Sequence, residues 1–206
     1  MDKRSQILIA AEELFAGKGF DGTSVRDIAH LAGVNLAMIS YYFGSKEKLF
    51  EALIEYRSGY TTDVLEELAS DENLTPMDKM FKLIDFYVAR ILTNHRYHNI
   101  ITRQFSTLHS PELKESMMRM KEKNLEQIRK IMEDGVKKNL FRKVDLEMTM
   151  GTIFGTISQM TLSKDFYCRI LGMLSPDPNE YSQELADRLK NHLKDLIFAH
   201  LSIPKA

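Results

Sequence analysis

Leu36, Ala37, Ser40 and Tyr41 share the outward face of one short helical segment, and that face suits contact with a nucleic acid. A short helix with small side chains near its N-terminus can enter the major groove, which is about 12 Å wide. Its exposed N-terminus also brings positive dipole charge close to phosphate. Other chemistry finds little support. Glu12-Glu13 and Glu66-Glu67 are adjacent pairs whose members point different ways on a helix, so they do not form acid-base couples. His95, His98 and His109 lack the regular spacing and the neighbouring carboxylates or thiolates of a metal set, so no metal and no cofactor are expected. A single cysteine, Cys168, excludes an intrachain disulfide and a cysteine-built zinc site. No nucleophile-base pair or phosphate-cradling loop appears.

The elements that must position this face follow from periodicity and punctuation. Ile7, Ala11, Leu14 and Phe15 recur at helical spacing, and Gly17 and Gly19 close that helix. Ser24 offers an N-cap with Asp27 three residues on, and Ile28, Ala29 and Leu31 make the inward side of a helix stopped by Gly33. Asn35 caps the next short helix, which ends at Phe43 before Gly44. Ala29, Ala32, Val34 and Ile39 are the inward positions, and Gly33 allows the sharp turn. Three consecutive aromatics cannot share one face of a short helix, so Phe43 is expected inside and Tyr41 and Tyr42 outside. Ser45 then caps a long helix. Short helices joined by tight glycine turns ahead of a long helix make a helix-turn-helix unit.

Beyond residue 70 the elements lengthen. Pro76 suits a first helical turn, with Met77, Met80, Phe81, Ile84, Val88 and Ile91 as the apolar stripe. Further helices are expected around 100–108, from 113 to 139, from 145 to 162 and from about 180 to 201, with a loop over Ser175–Asn179. No strand pattern appears. The reading is an all-α chain: an N-terminal three-helix helix-turn-helix DNA-binding domain over 1–50, a connecting helix over about 46–70, and a larger helical ligand-binding and dimerisation domain over 51–206.

Charge neither supports nor opposes nucleic acid. The chain carries a net charge of -1, and its first 50 residues hold six basic against six acidic side chains, so the placement of charge must decide. No apolar run reaches the roughly 18 residues of a membrane span, and nothing resembles a signal peptide, so a cytoplasmic protein is expected.

The stretch from Thr23 to Leu49, TSVRDIAHLAGVNLAMISYYFGSKEKL, resembles the signature of the TetR family of transcriptional regulators over about Ile7 to Leu53. Its most specific part is Tyr41-Tyr42-Phe43 followed by Ser45-Lys46-Glu47. The resemblance implies phosphate contacts from Ser24, Tyr42 and Lys46, and base-edge contacts from Arg26, Leu36, Ala37, Met38, Ser40 and Tyr41. Arg26 has an alternative role pairing with a nearby acid. A small hydroxyl residue is common in the family where Met38 stands, and an aromatic where Ser40 stands, which bears on the DNA sequence read rather than on the fold. The implied function is a repressor, released from a palindromic operator by a small molecule.

In such proteins the larger domain binds the effector and dimerises. Gly151 and Gly155 form a small-residue stripe that would let a second helix approach, and Leu185, Leu189, Leu193 and Leu196 repeat along the last helix. Both helices are therefore expected at a homodimer interface, the alternative being that they close the monomer core. Twelve methionines suit an adaptable apolar pocket, and Tyr87, Arg90, Gln104, His109 and Gln159 are the polar residues expected to line one for an apolar or amphipathic ligand. The helix from Ser45 is the expected link between ligand and DNA. The competing classes are an all-helical protein-binding adaptor and an enzyme without a recognisable catalytic motif.

Overall fold

The structure, a computed structural model, describes residues 2–94, 97–98, 100, 111–173 and 183–204. Among these residues the chain is helical, and the one β-type pairing is an isolated antiparallel bridge between Phe141 and Ser202. Contacts divide it into two compact units, Met1–Asp63 with Arg96–Asn124, and Val64–His95 with Leu125–Ala206. Two of the boundaries, after Asp63 and after Asn124, fall inside long helices. Residues 96–124 join the first unit through burial: Ile100 and Met117 belong to the same core cluster as the N-terminal helices.

The first unit opens with α1 (Lys3–Lys18), whose N-cap Asp2 accepts the Ser5 amide at 2.8 Å. Then come α2 (Val25–Leu31), α3 (Leu36–Phe43) and the start of α4 (Lys46–Ser70). Ile7, Leu8, Ala11 and Phe15 of α1 pack with Ile28, Ile39, Phe43, Leu49, Phe50 and Leu53. At its centre the Phe15 and Phe50 rings meet edge to face at 5.3 Å, and Phe20 lies 5.2 Å from Phe50. Such aromatic pairs contribute roughly 0.5–1.5 kcal/mol beyond area burial. Leu31 departs from the sequence expectation and is 44% exposed. α2 ends at that residue, and Val25 before it with Ala32 and Val34 after it pack against the core in its place.

In the second unit α5 (Pro76–Thr93) packs against α7 (Leu146–Leu162) and α9 (Gln183–Leu201). α6 (Pro111–Lys137) supplies Ile128, Ile131 and Met132 to that core. Thr75 and Asp78 form a reciprocal cap at the start of α5, with Pro76 in its first turn. Lys194 of α9 pairs with Asp85 of α5 at 2.7 Å. Gly135 is required where it stands, because a Cβ there would lie 2.1 Å from the Phe141 ring. A helix absent from the sequence reading, α8 (Lys164–Leu171), follows α7 and ends at Gly172, which has φ +68°. The expected helix over 100–108, apart from Ile100, and the loop over Ser175–Asn179 lie outside the described residues.

Candidate nucleic-acid interface

α2 and α3 owe their placement to local chemistry. Ser24 and Asp27 form a capping box: the Ser24 hydroxyl accepts the Asp27 amide at 3.2 Å, and the Asp27 carboxylate accepts the Ser24 amide at 3.1 Å. Caps of this kind contribute about 1 kcal/mol each. Gly33, at φ +62°, turns the chain, and Asn35 caps α3 by accepting the Ala37 amide at 2.6 Å. Gly44, at φ +80°, ends α3, and the Ser45 hydroxyl accepts the Lys48 amide to begin α4.

This geometry sorts the side chains of α3. Ile39 and Phe43 are buried, while Leu36, Ala37, Ser40, Tyr41 and Tyr42 are exposed, Tyr41 by 83%. The exposed residues 36, 37, 40 and 41 occupy one face, at the spacing of successive helical turns. Tyr41 and Tyr42 meet edge to face at 5.2 Å. Met38 differs from the rest of the expected base readers: it is half-buried and packs against the core, because it shares the inner side with Ile39. Arg26 is exposed on α2.

Two expected phosphate ligands are occupied elsewhere. The Ser24 hydroxyl donates its proton to Asp27 Oδ2 at 2.7 Å, so it serves as a cap and not as a free donor. That bond holds the Asp27 carboxyl below the usual carboxylate range. Lys46 is half-buried, and its Nζ donates to the backbone carbonyls of Phe20 at 3.0 Å and Thr23 at 3.1 Å. The phosphate contact that the resemblance implies for Lys46 thus falls on an ammonium already engaged within its own chain.

Two cations that sequence reasoning passed over lie in the same unit. Lys48 is exposed in the first turn of α4. Arg4 is exposed, with its guanidinium carbon 5.6 Å from the centre of the Phe43 ring. The signal for Lys48 was its place three residues after the Ser45 cap; for Arg4, with no periodic marker, there was none.

The acids of the first unit are less free than their number suggests. Asp2 and Asp27 are spent on caps, and Glu12 is buried against Arg57.

Residues 7–53 match the bacterial regulatory proteins of the tetR family, and residues 73–162 match the tetracyclin repressor-like C-terminal domain. The Bacillus subtilis protein YttP, named as a probable HTH-type transcriptional regulator, is 32% identical over 181 residues, covering 86% of each chain. This chain belongs to the TetR family. Solved TetR-like folds agree with that placement. The ketosteroid transcriptional regulator KstR2 of Mycobacterium tuberculosis superposes with a TM-score of 0.75 at 17% identity, covering 98% of this chain and 96% of the other. FadR of Bacillus subtilis, solved in complex with stearoyl-CoA, gives 0.73 at 22% identity, covering 95% and 98%. At those identities the likeness is one of fold. The first unit of this TetR-family chain accordingly carries the N-terminal helix-turn-helix of a DNA-binding transcriptional regulator.

The residues expected to serve ligand and dimer fare unevenly. Tyr87 is buried, its ring 4.7 Å from Phe154 in an edge contact, and burial pushes its hydroxyl far above the ordinary tyrosine range. Arg90, one turn on, is half-buried, with its guanidinium carbon 5.9 Å from the Phe86 ring centre. Gln159 is exposed and donates to the Ser163 hydroxyl at 3.1 Å, so it lines no buried space. Gln104 and His109 lie outside the described residues.

Gly151 and Gly155 are exposed on α7, with open space where a Cβ would stand. Leu189 and Leu193 are buried in the core of the second unit, Leu185 is buried against Cys168 and Met173, and half-buried Leu196 packs at the edge of the core, so the first three serve the protomer's own packing. Among the described residues no helix is long and apolar enough to cross a membrane.

Proposed function

We propose that the protein is a transcriptional repressor that binds a partly palindromic operator as a symmetric dimer, with α3 of each protomer in the major groove. The observation that carries this reading is the exposed face of Leu36, Ala37, Ser40 and Tyr41 on a helix capped at its N-terminus by Asn35. Base contacts from such a face specify sequence, and neighbouring cations fix position on the phosphates. A palindrome requires a two-fold partner. The partner face we assign is the outer side of α7, where Met148 is 70% exposed in line with Gly151 and Gly155, together with exposed Phe198 on α9.

The releasing effector in this reading is an amphipathic small molecule. Support comes from the fold shared with FadR, which was solved with stearoyl-CoA, and from buried Tyr87 with half-buried Arg90 on α5. Sequencing of duplexes selected from a random pool tests the DNA part, with an inverted repeat as the expected outcome. Calorimetry with stearoyl-CoA as probe, with and without the selected duplex, tests the effector part. Linkage requires that whatever factor the ligand imposes on DNA affinity, DNA imposes on ligand affinity. Equal affinity in both titrations removes stearoyl-CoA as a releasing ligand.

A further inference from the structure

We propose that Lys46 is a positioning residue of the DNA-binding unit, closing the helix-turn-helix on itself, and that the phosphate contact from the first turn of α4 belongs to Lys48. The inference rests on the DNA-binding reading above.

The geometry is specific. Lys46 opens α4, yet its ammonium reaches back across the sequence to the connection between α1 and α2, where it binds the carbonyls of Phe20 and Thr23. It also lies 4.3 Å from the centre of the Phe20 ring, and that ring packs on Phe15 and Phe50 in the core. Thr23 is buried, and its hydroxyl lies 2.8 Å from the Gly19 carbonyl and 3.2 Å from that of Leu14. The ammonium thus joins a connection that is already tied through the Thr23 hydroxyl. Thr23 immediately precedes Ser24, the cap of α2.

The segment from Phe20 to Lys46 contains all of α2 and α3. Its two ends are held together by charge-assisted hydrogen bonds, which are stronger than neutral ones. Fixing the ends restricts how α2 and α3 enter and leave the core, and with that the orientation of the Ser40 and Tyr41 face. Two of the three ammonium protons are committed in this way. Lys48, exposed two residues later, has its side chain in solvent.

The test compares wild type, Lys46→Met and Lys48→Met. Methionine keeps an apolar stem against Phe20 and removes the ammonium. Each protein is titrated at several salt concentrations with a duplex selected by wild type and with a scrambled duplex of equal length. Amide exchange over residues 20–27 is followed without DNA. Losing one phosphate contact lowers the slope of log affinity against log salt by about 0.9, so a substitution carried by both protomers of the dimer lowers it by about 1.8. We expect that loss for Lys48→Met, with similar weakening on both duplexes. For Lys46→Met we expect less than half that change in slope, at least a tenfold loss of preference for the selected duplex, and faster exchange over 20–27. A full slope loss in Lys46→Met, with preference and exchange unchanged, overturns the proposal. An unchanged slope in Lys48→Met overturns its second half. A mere loss of stability would leave the folded protein's preference between duplexes intact, so the ratio separates positioning from scaffolding. If wild type selects no duplex, the DNA reading fails, and the exchange measurement still decides whether Lys46 ties the connection.

Discussion

Arg57 of α4 closes on Glu12 of α1 through one oxygen: its Nε and a terminal guanidinium nitrogen each lie 2.7 Å from Glu12 Oε2. Glu12 is buried while its neighbour Glu13 is exposed, so the adjacent acids that looked unsuited to joint catalysis have separate environments. The pair clips α1 to α4 some eleven residues beyond Lys46, about 16 Å along the helix at 1.5 Å per residue.

Removing the cation alone strands a buried carboxylate. Fully buried pairs lose roughly 3–5 kcal/mol on such a change, and the partial exposure of Arg57 reduces this to about 1–3 kcal/mol. Arg57→Met is therefore expected to lower the melting temperature by several degrees, at about 2–4 °C per kcal/mol for a chain of this size. Glu12→Leu combined with Arg57→Met is expected to recover most of the loss, since apolar replacement of both partners leaves no orphan charge. Calorimetric melting of the three proteins checks this, and a double variant no better than the single one would refute the ion-pair account.

A second prediction concerns assembly. Gly155 is exposed and a Cβ there meets nothing within 4 Å of its own chain. The Gly155→Leu protomer should therefore keep its helical circular dichroism, since nothing of its own chain is displaced and leucine is also the better helix former. If α7 meets its copy across this glycine, the variant loses the dimer. Light scattering at micromolar concentration reads the mass, and an unchanged dimer mass would place the interface elsewhere. Gly135→Ala makes the opposite control: its Cβ would collide with Phe141, so the folded protomer itself is destabilised.

A third prediction follows from His98. Burial first, and the charge of Lys121 second, hold its imidazole down to about 4 from the ordinary 6.5. Between those values the unfolded chain binds a proton that the folded chain refuses. Stability is thus complete above about pH 6.5 and falls as pH drops through that window. At about 1.4 kcal/mol per unit, and with burial incomplete, the contribution by pH 4 is about 1–3 kcal/mol. Urea unfolding of His98→Asn from pH 7 to 4 should show a shallower decline than wild type; parallel curves would contradict the assignment.

Much of the DNA-binding unit was legible because short-range rules determine it. Ser24, Gly33, Asn35, Gly44 and Ser45 are caps and turns whose roles depend on the nearest few residues, and each does what its type suggests. Phe43 inside with Tyr41 outside follows from a helical period alone. What could not be read are the long-range commitments. Lys46 finds partners 26 and 23 residues away, and no local pattern distinguishes it from solvated Lys48. The leucine row on α9 has the spacing of an interface, yet the same spacing serves a protomer core, and α5 occupies that face. The return of residues 96–124 to the first unit arises from Ile100 and Met117 joining its core, which periodicity does not encode.

Recognition of DNA in this protein rests on the outward face of α3. Fluorescence anisotropy with a duplex selected from a random pool, for wild type and for Ser40→Ala, measures it. Wild type is expected to prefer the selected duplex over a scrambled one by about a thousandfold or more, as roughly 10³–10⁷ is usual for specific binders. Ser40→Ala is expected to change preference at one position in each half-site, with the salt slope unaltered. Equal affinity of wild type for selected and scrambled duplexes would contradict this reading of α3.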